Sequence, residues 1–174
     1  MNTPANSAAN VSELSGQLVF SRKLQAVTNK IHATQNIDEI MLQLSSDICA
    51  LFEADRLTLY SVGPDKASIN TRIKTGLGAF KDFKLPISSQ SVAGYVALNK
   101  TIVNIQDVYD EKELKTHHPG ITFLKDIDRK SGYRTKQMLA APIIEADSAE
   151  LSGVIQLINT LPAQPFSVAA EDAP

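Results

Sequence analysis

Apolar residues recur along this chain with two different periods, and each change of period marks an element. Phe20, Leu24, Val27 and Ile31 fall four, three and four residues apart, which is one stripe of an amphipathic helix. Asn36 followed by Glu39 resembles a capping pair. The helix it starts would bury Ile40, Leu44, Ile48 and Leu51 and end near "FEAD". From there the period drops to two. "RLTLYSV", the turn "GPDK" and "SINTRIKT" read as an antiparallel hairpin, its second strand alternating Ile69, Thr71 and Ile73 with Ser68, Asn70, Arg72 and Lys74. "DFKLPI" alternates Phe83, Leu85 and Ile87, and Pro86, which cannot donate to a ladder, places it at an edge or a strand end.

After "SSQS" a short helix, "VAGYVALNK", leads to the strand "TIVNI". Residues 106–135 form a polar connection of mixed charge with a helix expected around Glu111–Thr116. A connection of this length inside one domain is usually functional or mobile. The strands "KQMLAAPII" and "LSGVIQLIN" follow, separated by an acidic turn. Helices first, then strands with one helix among them, give an α+β fold with a largely antiparallel sheet, not a regular βαβ alternation. Residues 1–13, rich in Asn, Ser and Ala, are expected to be disordered or a linker. Residues 14–160 form the folded domain, and 161–174, with three of the eight prolines, read as a linker.

Composition narrows the class of function. The 174 residues suit one domain with loose ends, large enough for a core without disulfides or metal. Seventeen basic against nineteen acidic residues give −2, which argues against a nucleic-acid partner. A single cysteine, Cys49, excludes an internal disulfide and fits a reducing compartment. No apolar stretch nears the ~20 residues of a membrane span, and the N-terminus lacks a secretory pattern, so a cytoplasmic domain is expected.

The chain offers little catalytic chemistry. Cys49 reads as a buried, inert thiol in an amphipathic helix, because a nucleophile wants a base and a cationic setting. His117–His118 lack a Cys or carboxylate at metal spacing and read as part of a solvated loop. His32 reads as exposed. "GLG" at 76–78 lacks the Lys–Ser/Thr of a phosphate loop, and a flexible connection fits it better.

Two stretches suit binding. In "SSQSVAGYVALNK", Ser91 can cap the helix, and the small Ala93 and Gly94 let a ligand approach its first turn. Free N–H groups at such a helix start would take an anion or phosphate. In "DRKSGYRTKQMLAAPI", Asp128, Ser131 and Thr135 offer a carboxylate and two hydroxyls suited to a ribose or a base edge. Alone, the first stretch is better read as an ordinary capped helix, and the second is plausible as a plain polar turn.

In this order, "VAGYVALNKTIVNIQDVYD", "SGYRTKQMLAAPI" and "GVIQLIN" resemble a GAF domain over about residues 20–166. The likeness is most specific from Ser91 to Asn159 and nearest to the cyclic-nucleotide phosphodiesterase and cyclase type. "ELKTHHPGITFLKDIDRKSGYRTKQMLAAPI" also resembles GAF domains preceding bacterial secretion or pilus-assembly ATPases. The resemblance implies a central antiparallel sheet with helices on one face, and on the other a ligand pocket closed by residues 106–135 as a lid. It implies phosphate binding at Ser91, Val92 and Ala93, and base or sugar contacts at Tyr109, Asp128, Ser131, Thr135 and Gln156. A cyclic nucleotide is the ligand class it suggests. The family's cyclic-nucleotide subset pairs a Lys with an Asp to lock the lid, where this chain has Thr160 and Ala170. Family members continue into a long transmission helix, so the tail reads as the approach to one and the chain as a regulatory module of a larger protein. The alternative is a module for dimerisation or docking, pairing with its copy through the Phe20–Ile31 helix and that C-terminal helix. A reductase of this family needs several cysteines, and Cys49 stands alone.

Overall fold

The computed structural model describes residues 14–26, 37–74, 84–162 and 166. The chain divides into two compact units, residues 1–51 and 52–174.

The first unit contains α1 (residues 14–26) and α2 (Ile37–Leu51). In α1 the stripe residues Phe20 and Leu24 are half-buried, while Leu14, Leu18 and Val19 are exposed; Val27 and Ile31 lie outside the described residues. Helix α2 starts where the capping pair placed it, with Asn36 itself outside the described residues. Its positions Leu44, Ile48 and Leu51 are half-buried, and Ser45 is more buried than any of them. Cys49 is half-buried, not fully enclosed as its apolar neighbours suggested.

The second unit is built on a six-stranded antiparallel sheet. Its strands are β1 (Ala54–Val62), β2 (Ser68–Lys74), β3 (Lys84–Pro86), β4 (Val103–Ile105), β5 (Met138–Ile144) and β6 (Leu151–Thr160), in the spatial order β3-β2-β1-β6-β5-β4. The Pro86 strand lies at the edge, where its missing N–H costs no ladder bond. The β1–β2 turn is fixed by Asp65, whose carboxylate accepts from the Ala67 and Ser68 N–H groups, the Ser68 hydroxyl and, at 2.6 Å, Lys84. Those bonds, that of Lys84 foremost, hold its carboxyl well below the usual range.

Register divides the sheet into two faces. Leu57 pairs with Leu157, which pairs with Leu139, and all three are buried on one face. On the other face the rows are Arg56–Ile158–Met138, Thr58–Gln156–Ala140 and Tyr60–Val154–Pro142. Side chains alternate along a strand, so these three rows share one surface.

Helix α3 (Val92–Asn99) lies against that sheet, burying Val92, Ala93, Val96 and Ala97 in a core with Ile69, Val103, Ile105 and Val154. Its start is set by a close approach. A methyl on Gly94 would sit 2.6 Å from the Pro86 and Ser88 carbonyl oxygens, so glycine is required there. The connection from β4 to β5 carries α4 (Glu111–His117) and α5 (Lys125–Ser131). Asp110 caps α4 through the Lys112 N–H, and Glu113 reaches back to the Gln106 and Asp107 N–H groups at 2.6 and 2.9 Å. The histidine pair is more ordered than a solvated loop: His117 closes α4, and His118 stacks 5.7 Å from Tyr95 and accepts the Gly120 N–H. Where a plain linker was expected after residue 160, Phe166 is buried, and its carbonyl accepts the Asn104 side-chain amide at 3.2 Å.

Candidate functional site

A cavity of about 630 Å³, counted out to its mouth, lies between the polar rows of the sheet, the first turn of α3 and the β4–β5 connection. Its floor is Arg56, Thr58, Tyr60, Gln156, Met138 and Ile158, and its roof includes Phe123, Ile127, Asp128 and Thr135.

Seven of the eight expected residues meet there. Ser91, Val92 and Ala93 line one wall. The Ser91 side chain accepts the Gly94 N–H at 3.1 Å, the cap foreseen from the serines. Asp128, Ser131 and Thr135 line the roof and Gln156 the floor. Tyr109 does not line the cavity; its hydroxyl donates to Asp128 Oδ2 at 3.0 Å, and its ring contacts the Arg134 guanidinium and the Phe123 ring. Burial foremost, with that bond to Asp128, pushes the Tyr109 phenol upward.

Asp128 organises the roof. Oδ2 also accepts the Thr135 N–H, and Oδ1 the Thr135 hydroxyl, each at 2.8 Å. One carboxylate therefore ties α5 to the chain entering β5 and to Tyr109 on the chain leaving β4. The roof is fastened over α3 by Thr122, whose N–H and hydroxyl both donate to the Gln90 carbonyl, at 3.1 and 2.8 Å.

The latch that Thr160 and Ala170 cannot form has a neighbour in Asn159. This residue sits in the left-handed region, φ 49°, which asparagine tolerates. Its Oδ1 accepts from the Lys136 and Gln137 N–H groups, and its Nδ2 donates to the Tyr133 hydroxyl and the Arg134 carbonyl. The Tyr133 hydroxyl passes its proton-donor bond to Asp55 at 2.6 Å. Burial first, then that carboxylate, holds the Tyr133 phenol well above its ordinary value.

Polar side chains of the floor bond one another. Tyr60 donates to Gln156 Oε1 at 3.2 Å, and Gln156 Nε2 faces the Met138 sulfur at 3.3 Å, a weak acceptor. Burial alone raises the Tyr60 phenol far above its usual range. Arg56, Thr58, Tyr60 and Tyr133 were absent from the sequence-based site. A polar residue at every second position of "RLTLY" was the available signal, and in an isolated strand it reads as a wet face.

Among the described residues no group of three or more His, Cys, Asp or Glu could hold a metal, and no helix is long and apolar enough to cross a membrane. The family model of the GAF domain matches residues 36–173. This chain is a GAF domain. It is 27% identical over 146 residues to a Caenorhabditis elegans protein named "Probable 3',5'-cyclic phosphodiesterase pde-5", covering 78% of this chain and 18% of that protein. It is 30% identical over 121 residues to the dual 3',5'-cyclic-AMP and -GMP phosphodiesterase 11A of Takifugu rubripes, covering 64% of this chain and 12% of that one. The chain thus corresponds to less than a fifth of either relative's length. The GAF domain of a phosphoenolpyruvate-protein phosphotransferase from Coxiella burnetii shares its fold, with a TM-score of 0.67, 19% identity, and coverage of 89% of this chain and 85% of that one. GAF domains are commonly regulatory and bind small molecules, and the α+β fold read from the sequence is the GAF fold.

Proposed function

We propose that this GAF domain is a non-catalytic sensory module. It binds a small molecule, a cyclic nucleotide or another nucleotide, and so regulates an output domain of a larger signalling or secretion-type protein. The observation that carries this reading is the cavity itself, where the α3 N-terminus, a sheet floor of mixed polar and apolar side chains and a hydrogen-bonded lid converge on one open space. Phosphate is best placed at the Ser91–Ala93 turn, and base or sugar against Gln156, Ser131 and Thr135, with Tyr109 acting through Asp128. The likeness to cyclic-nucleotide phosphodiesterases supports the ligand class. The lone Cys49 fits a cytoplasmic setting. Regulation follows if the ligand distinguishes an open from a closed lid.

A thermal-shift panel of cyclic and linear nucleotides tests the reading. At one hundred times its dissociation constant a ligand adds about 2.7 kcal/mol, roughly 5–10 °C for a domain of this size. A flat panel would sink it.

A second reading draws on the exposed Leu14, Leu18 and Val19 of α1: a module that pairs with its own copy through the N-terminal helix, which the sequence placed at Phe20–Ile31. A concentration-dependent dimer with no nucleotide response is the outcome that favours it.

A further inference from the structure

The cavity holds a cation that the proposed function leaves unused. Arg56 occupies the row Arg56–Ile158–Met138, and its guanidinium lies on the Tyr133 ring, Cζ 3.4 Å from the centroid. Asp55 Oδ2 comes only to 4.0 Å of Nε, and that oxygen already accepts the Tyr133 hydroxyl at 2.6 Å. Arg56 Nη1 is buried and has no hydrogen-bond partner among the described residues. A guanidinium donor shut away from water without an acceptor is destabilising. A residue in that state beside a cavity is suited to an acceptor that arrives from outside.

We infer that Arg56 is an oxyanion receptor, taking a carboxylate or a phosphate carried by the cavity's ligand. The inference rests on the small-molecule reading and adds the chemical class. The planar fork of arginine pairs with two oxygens of one anion, and stacking on Tyr133 orients that fork beforehand. Asp128 does not supply the missing acceptor: its bonds go to Tyr109 and Thr135 in the lid, and Arg56 Nη1 has none among the described residues. The α3 N-terminus does not serve the same end of the cavity either. Gly94 abuts the Pro86 carbonyl, and Pro86 pairs with Ser68 beyond the Val62 end of β1, whereas Arg56 stands near the strand's start. The floor between is partly apolar, with Met138 and Ile158. A small organic acid or organic phosphate with an apolar or flat body matches this layout.

The test compares the wild type with Arg56→Met, which keeps length and a sulfur contact to the Tyr133 ring while removing charge and fork. Arg56→Lys, which keeps the charge, guards against misfolding. Without any probe, Arg56→Met should melt several degrees higher than the wild type, since the orphaned donor is gone; an unchanged or lower melting temperature overturns the inference. Binding is then read with hexyl phosphate against hexanol for the phosphate arm, and hexanoate against hexanol for the carboxylate arm, since a cyclic nucleotide's one phosphate is assigned to the α3 end. The expected result is a tenfold or greater loss of affinity in Arg56→Met for the oxyanion of whichever arm binds, a partial loss in Arg56→Lys, and no change for its neutral counterpart. A probe anion that binds wild type and Arg56→Met within twofold refutes the role. If neither probe anion binds the wild type, Arg56 is not an oxyanion receptor; a nucleotide response in the thermal-shift panel then leaves the small-molecule reading standing.

Discussion

Replacing Asp128 with alanine should loosen the lid before it affects the sheet. The carboxylate is 6% exposed and accepts three bonds: from the Tyr109 hydroxyl at 3.0 Å and from the Thr135 N–H and hydroxyl, each at 2.8 Å. Tyr109 is half-buried and can turn to water, so its loss is small. Thr135 is 4% exposed, and both of its donors would be stranded. A buried donor left unmade costs about 1–3 kcal/mol, so the two together cost roughly 2–6 kcal/mol. Thr135→Val removes only the hydroxyl and should cost about 1 kcal/mol. Because the two residues share a bond, the double variant should fall short of additivity by about 1 kcal/mol. Urea unfolding gives the totals, and amide exchange at Thr135 shows whether the loss is local. An Asp128→Ala variant within about 0.5 kcal/mol of wild type, with unchanged exchange at Thr135, would refute Asp128 as the organiser of the lid.

Other outcomes follow from the same geometry. Gly94→Ala should destabilise by about 1–3 kcal/mol, because the new methyl meets two backbone oxygens that cannot move independently. Gly132→Ala, with open space around it but φ 69°, should cost only the left-handed penalty of about 1–2 kcal/mol; equal and negligible losses in thermal melts would contradict both. Asn159→Ala breaks four side-chain bonds and should cost about 3 kcal/mol or more, read by denaturant midpoint. Tyr60 and Tyr133 are both held above the ordinary tyrosine value, so their neutral phenols favour the folded state. That stability is complete below about pH 10 and declines as pH rises toward the folded-state values. Unfolding free energy measured from pH 8 to pH 11.5 should fall above about pH 10, and less steeply in Tyr60→Phe; a flat profile would contradict the assignment.

Much of the fold was legible because its signals are local. The hairpin around "GPDK", the edge strand at Pro86, α3 after Ser91, and strands β5 and β6 each announce themselves by period or turn chemistry. Helix α5 did not, since Lys125–Ser131 carries one large apolar residue, Ile127, and no side-chain N-cap. Its remaining signals were Asp126 and Asp128 in the first turn, Arg129 and Lys130 in the last, and Gly132 in the left-handed cap. The candidate site was legible where a motif marks it, at Ser91–Ala93 and at Asp128–Thr135. It was hidden where long-range packing makes it. Arg56, Thr58 and Tyr60 look like the wet face of a strand until the lid covers them, and Tyr133 looks like a loop residue until Asp55 and Asn159 hold it. Tyr109, implied as a contact by the family resemblance, lies outside the cavity lining and bonds Asp128 instead.

The central claim is that the space beneath the lid receives a small molecule. Its most direct test is a two-dimensional NMR titration of the domain with cyclic AMP and cyclic GMP. Saturable shifts are expected at the Val92 and Ala93 backbone amides and at the Gln156 side-chain amide. Shifts confined to other parts of the chain, with those three signals unmoved at millimolar nucleotide, would contradict the account.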